Sequence, residues 1–123
     1  MAIPVKGSCH CGKVRLEGPS LPPWIVQCGC EICTKLGALW AYYPDGAVTV
    51  VGDTIIYTCN NKVIGFHHCP TCGCLTHWRT LVKDFGRMAM NARLLEESQM
   101  AAIPIRAIAG PTPAVFGDKW PPA

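Results

Sequence analysis

The chain has 123 residues, of which half are hydrophobic and 15% charged; this composition excludes a disordered chain and suits one core. No segment approaches the ~20 apolar residues of a membrane span, because the most apolar stretch, Met100 to Gly110, is broken by Pro104 and Arg106. The formal charge of +3 is carried by scattered lysines and arginines with no basic run, which disfavours nucleic acid as a partner.

In chain order the elements read as short strands. Val5 to Ser8, Lys13 to Glu17, Ile25 to Gln27, Leu39 to Tyr43, Val48 to Val51 and Ile55 to Cys59 are rich in β-branched and aromatic residues. They are punctuated by Gly18-Pro19, Pro22-Pro23, Pro44-Asp45-Gly46 and Gly52-Asp53, the residues that make turns. Val63 to Phe66, Leu75 to Arg79, Arg87 to Met90 and Ile103 to Ile108 continue the pattern. A single helix is expected over Arg93 to Ala102, where good helix formers stop before Pro104. The tail from Gly110 holds four prolines and is expected to lie extended across the surface. The expectation is a mainly β domain spanning residues 1–123, with at most one short helix. Its N-terminus shows neither a basic nor an apolar signal region, so a cytoplasmic protein is expected. In that compartment its nine cysteines are not expected to form disulfides.

Seven of those cysteines fall in three clusters: Cys9-His10-Cys11-Gly12, Cys28-Gly29-Cys30-Glu31-Ile32-Cys33 and Cys69-Pro70-Thr71-Cys72-Gly73. A tetrahedral zinc with Zn–S near ~2.3 Å needs its sulfurs roughly 3.8 Å apart. The two side chains of a C-x-C pair leave the same face of an extended segment, with Cα atoms about 6.6 Å apart. They can therefore converge on one ion, and Gly12 and Gly29 help the backbone curl. Thiolate ligation favours zinc over hard cations, and the negative charge of those thiolates would remove the formal positive excess. Two pairs make a closed four-thiolate site, which leaves the triple Cys28, Cys30 and Cys33 alone. A zinc with three protein ligands keeps an open position, as catalytic zinc does. The alternative is that Cys59, Cys74, His67 or His68 closes that second site.

Outside the clusters the bland readings prevail. Cys74 and Cys59 read as small buried side chains, and His10 as a surface or supporting residue pointing away from the ion. His67 and His68 must face opposite sides of a strand, so at most one of them approaches the triple. Trp40, Tyr42 and Tyr43 read as core residues, with the lining of a pocket beside the triple as the alternative, and Glu31 is the nearby carboxylate able to act as a base.

The stretch Gly7-Ser8-Cys9-His10-Cys11-Gly12-Lys13-Val14, the triple with Leu36-Gly37-Ala38-Leu39-Trp40 after it, and Cys69-Pro70-Thr71-Cys72-Gly73 together resemble a known family. It is the glutathione-dependent formaldehyde-activating enzyme family, to which centromere protein V also belongs. The resemblance implies a β-tent fold, a structural zinc at Cys9, Cys11, Cys69 and Cys72, and a catalytic zinc at Cys28, Cys30 and Cys33. It also implies a carbon–sulfur lyase acting on a small thiol, glutathione, and a small aldehyde, formaldehyde, through S-(hydroxymethyl)glutathione. A soft, open metal site suits that chemistry because it depresses a thiol's pKa from ~8.5. The rival expectation is a non-catalytic zinc-stabilised module that binds a protein or nucleic acid, with all three clusters serving folding.

Overall fold

A computed structural model describes residues 3–58, 63–82 and 86–108. Its strands are β1 (Val5–Ser8), β2 (Arg15–Gly18), β3 (Ile25–Cys28), β4 (Trp40–Pro44), β5 (Thr49–Val51), β6 (Ile55–Thr58), β7 (Ile64–His68), β8 (Leu75–Thr80), β9 (Arg87–Asn91) and β10 (Ile105–Ile108). Helix α1 (Glu31–Leu36) follows β3; a 3₁₀ turn (Ala92–Leu94) and helix α2 (Glu97–Ala101) lie between β9 and β10. The strands form a three-stranded sheet in the order β1-β2-β5 and a seven-stranded sheet in the order β10-β3-β4-β9-β8-β7-β6. Pairing is antiparallel except at β10, which runs parallel to β3.

Strand alternation sorts the apolar side chains of the large sheet into two cores. Ile25, Ala41, Tyr43, Met88 and Met90 face one way and pack with Val5 and Leu16 of the small sheet, and with Leu95 and Ile103 from the β9–β10 connection. Val26, Trp40, Tyr42, Phe66, Trp78 and Ala89 face the other way and pack with Cys28 and Cys33. The cysteine triple thus sits on the face of the large sheet turned away from the small sheet. Gly52 shows how tightly the small sheet closes: with φ at 110°, a Cβ there would lie 2.1 Å from the Lys13 carbonyl oxygen.

The mainly β expectation holds, but the helices differ from it. Glu31–Leu36 is helical where no helix was expected, so the limit of one short helix is corrected. Six residues that include β-branched Ile32 and Thr34 would not hold a helix alone. The helix is kept by its surroundings: Gly37 caps it in the left-handed conformation, at φ 66°, and the Arg93 guanidinium donates to the Gly37 carbonyl. The expected helix over Arg93 to Ala102 is broken, because Leu95 forms a β-bridge with Gly7 between the 3₁₀ turn and α2. Two strands begin two residues later than expected. Val14 is tied to Cys9 ahead of β2, and Pro104 precedes β10 with no N–H to donate. Cys59 and the tail from Gly110 lie outside the described residues.

Candidate metal centres

Two clusters of thiols converge. The first joins the β1–β2 turn, which supplies Cys9 and Cys11, to the β7–β8 turn, which supplies Cys69 and Cys72. The four Sγ atoms lie within 4.8 Å of one another. Cys11 Sγ is 3.6 Å from both Cys9 Sγ and Cys69 Sγ, close to the roughly 3.8 Å edge of a tetrahedral zinc–thiolate site.

Backbone N–H groups face these sulfurs. Val14 donates to Cys9 Sγ at 3.3 Å, and Thr71 and Cys72 donate to Cys69 Sγ at 3.4 and 3.5 Å. The N–H of Cys11, and then that of Cys74, hold the Cys72 thiol down to about 5, favouring the thiolate that a metal needs. The two turns belong to different sheets, so a metal here would cross-link them.

The second cluster is Cys28, Cys30 and Cys33, again with Sγ atoms within 4.8 Å of one another. Cys28 ends β3, Cys30 is the residue before α1, and Cys33 lies in its first turn. The helix that the sequence did not reveal is what swings Cys33 back toward Cys28. Cys28 and Cys33 are buried, while Cys30 is half-exposed and marks the open side. The Trp40 indole Nε1 donates to Cys33 Sγ at 3.3 Å. The Cys33 thiol first, then the Cys30 N–H, push Cys28 down to about 6, and the shared proton raises Cys33 in turn. A soft cation would replace that proton. The donor set of both clusters therefore fits zinc, and two cysteine-rich sites could hold metal ions.

Among the described residues no fourth His, Cys, Asp or Glu joins the triple. Cys74 packs beside the first cluster but is not one of its four converging thiols. Cross-strand register puts His67 and His77 on the face opposite the triple, where their rings stack 4.2 Å apart. Trp40 and Tyr42 share the triple's face, whereas Tyr43 points into the other core and donates to the Ser20 carbonyl at 2.7 Å. Glu31 is exposed in the first turn of α1, and His10 is exposed between its two cysteines. From the sequence Trp40 reads as core or as pocket lining, not as a donor to a cysteine. Its bond to Cys33 depends on β4 lying beside β3, and no local spacing signals that.

The family model described as "Glutathione-dependent formaldehyde-activating enzyme" matches residues 4–107. The chain belongs to the glutathione-dependent formaldehyde-activating enzyme family. All seven converging cysteines of this family member lie inside the matched span. A Rhodobacter sphaeroides protein of known crystal structure is similar to it at 25% sequence identity with a TM-score of 0.67, over 82% of this chain and 99% of that one. A search of curated proteins finds no match. Among the described residues of the family member, no helix is long and apolar enough to cross a membrane.

Proposed function

We propose that this protein is a cytoplasmic, zinc-dependent carbon–sulfur lyase-type enzyme that joins glutathione to formaldehyde as S-(hydroxymethyl)glutathione. One contrast carries the reading. Cys9, Cys11, Cys69 and Cys72 bring four thiols to one point, whereas Cys28, Cys30 and Cys33 bring three with no fourth ligand among the described residues. The first set is the structural site of a β-tent, where a corner pins two sheets; the second is the catalytic one.

In the forming direction the glutathione sulfur bonds to the aldehyde carbon, the C=O π bond opens, and the thiol proton ends on the new hydroxyl. Cys28, Cys30 and Cys33 would hold the zinc, which would supply soft Lewis acidity and favour the thiolate of the incoming thiol well below its free pKa of ~8.5. The chain supplies placement. β3 and α1 hold the three thiols, and the Trp40 N–H fixes Cys33 and withdraws charge from it. The buried rings of Trp40, Phe66 and Trp78 make an apolar floor that keeps water from beneath the site. Bringing both reactants to one place supplies rate through proximity.

The test pairs two substitutions. Cys30→Ser should abolish adduct formation above the spontaneous rate with little change in the thermal midpoint, and Cys9→Ser should unfold the domain. Equal destabilisation by both would favour the non-catalytic zinc module instead.

A further inference from the structure

The sheet face that carries the triple holds few charged groups. By register, Trp24, Val26 and Cys28 of the β3 strip share it with Trp40 and Tyr42, Arg87 and Ala89, and Arg106 and Ile108. Among the described strands no carboxylate lies on this face, and its cations are Arg87 and Arg106. Arg87 is half-buried, with its Nη1 atom shielded from solvent. Arg106 is exposed, and its guanidinium carbon lies 3.9 Å from the centroid of the Trp24 ring. Arg106 belongs to neither the Lys6–Glu17 nor the Arg79–Asp45 ion pair.

A guanidinium stacked on an aromatic ring keeps its in-plane N–H donors free for a planar anion and loses little entropy in binding it. Strand β10 places the Arg106 backbone beside the end of β3 that carries Cys28, with its guanidinium over Trp24 at the start of that strip. Ile108 pairs with Cys28 and Arg106 with Val26, and the Gly29 N–H donates to the Ile108 carbonyl at 2.8 Å. One strand across and two residues along separates the Cα atoms of Arg106 and Cys28 by roughly 8 Å. In glutathione the sulfur and the glycyl carboxylate stand roughly 6–8 Å apart when the chain is extended. The glycyl carboxylate is also a lone anion, whereas the γ-glutamyl carboxylate sits beside its own ammonium.

We infer that Arg106, held over the Trp24 ring, is the specificity-determining residue that binds the glycyl carboxylate of glutathione while its thiol faces Cys28, Cys30 and Cys33. The inference rests on the glutathione reading above. It explains why an exposed strand position beside an apolar floor carries a stacked arginine, and it makes the site selective for an anionic thiol over a neutral one.

The test is calorimetric binding of glutathione and of its glycyl ethyl ester to the zinc-loaded protein, with zinc content and thermal midpoint measured on each variant. The wild type should bind glutathione roughly ten-fold tighter than the ester, the size expected for one charge-assisted hydrogen bond. Arg106→Gln should bind both at the ester's level with unchanged zinc content, and Arg106→Lys should keep part of the preference. Equal binding of the two ligands by the wild type, or an undiminished preference in Arg106→Gln, would overturn the role of Arg106 while leaving the glutathione reading intact. Failure of the wild type to bind either ligand would overturn both.

Discussion

Acid should destabilise this protein through His77, and the size of the effect follows from its surroundings. The ring is 2% exposed and stacks on His67. Thr76 Oγ1 donates its one proton to the His67 carbonyl at 3.1 Å, so toward His77 Nδ1, at 2.8 Å, it can only accept. His77 therefore carries a proton on Nδ1. Burial first, and then the charges of His67 and Arg79, push its pKa from 6.5 to about 3. A depressed histidine pKa means that the unfolded chain takes up the proton first. Stability is thus complete above pH ~6.5 and is lost as pH falls toward 3. Between pH 7.5 and 5.5 the loss from this residue is roughly 1.4 kcal/mol. Urea midpoints of the zinc-loaded wild type and of His77→Phe, measured across that range, should differ in pH dependence by this amount, with the variant flatter. Zinc release would lower both curves alike and cancels in the comparison. Parallel curves would refute a neutral, buried His77.

Other substitutions probe the rest of the account. Trp40→Phe keeps an aromatic ring in the core but removes the N–H···S bond to Cys33; the affinity of the triple for zinc should fall about 10–100-fold in a chelator competition, with the fold retained. Gly52→Ala puts a Cβ 2.1 Å from the Lys13 carbonyl oxygen at a positive φ and should cost more than ~2 kcal/mol in urea unfolding. Arg93→Ala removes the donor to the Gly37 carbonyl at the end of α1. It should loosen the triple, seen as faster alkylation of Cys33 in metal-free protein, with little change in the first cluster.

What the sequence made legible was local. C-x-C and C-x-x-C spacings follow from the reach of a turn, so the convergence of Cys9 with Cys11 and of Cys69 with Cys72 could be read without a fold. Strand positions were likewise visible from β-branched runs between turn residues, with most boundaries within two residues. The features that depend on partners distant in sequence were not visible. Helix α1 is too short to announce itself and is held by Arg93. The facing of Trp40 toward Cys33, and of His67 and His77 away from it, is set by sheet register. A one-residue slip there would exchange the two faces. The stacking of Arg106 on Trp24 requires the parallel pairing of β10 with β3, a crossover that periodicity does not encode.

The most direct test of the central claim is zinc content per chain, measured on protein purified without added thiol, before and after exposure to a dilute chelator. The account predicts two zinc ions, one removed readily from Cys28, Cys30 and Cys33 and one retained by Cys9, Cys11, Cys69 and Cys72. A single, tightly held zinc would contradict it and leave the triple without a catalytic metal.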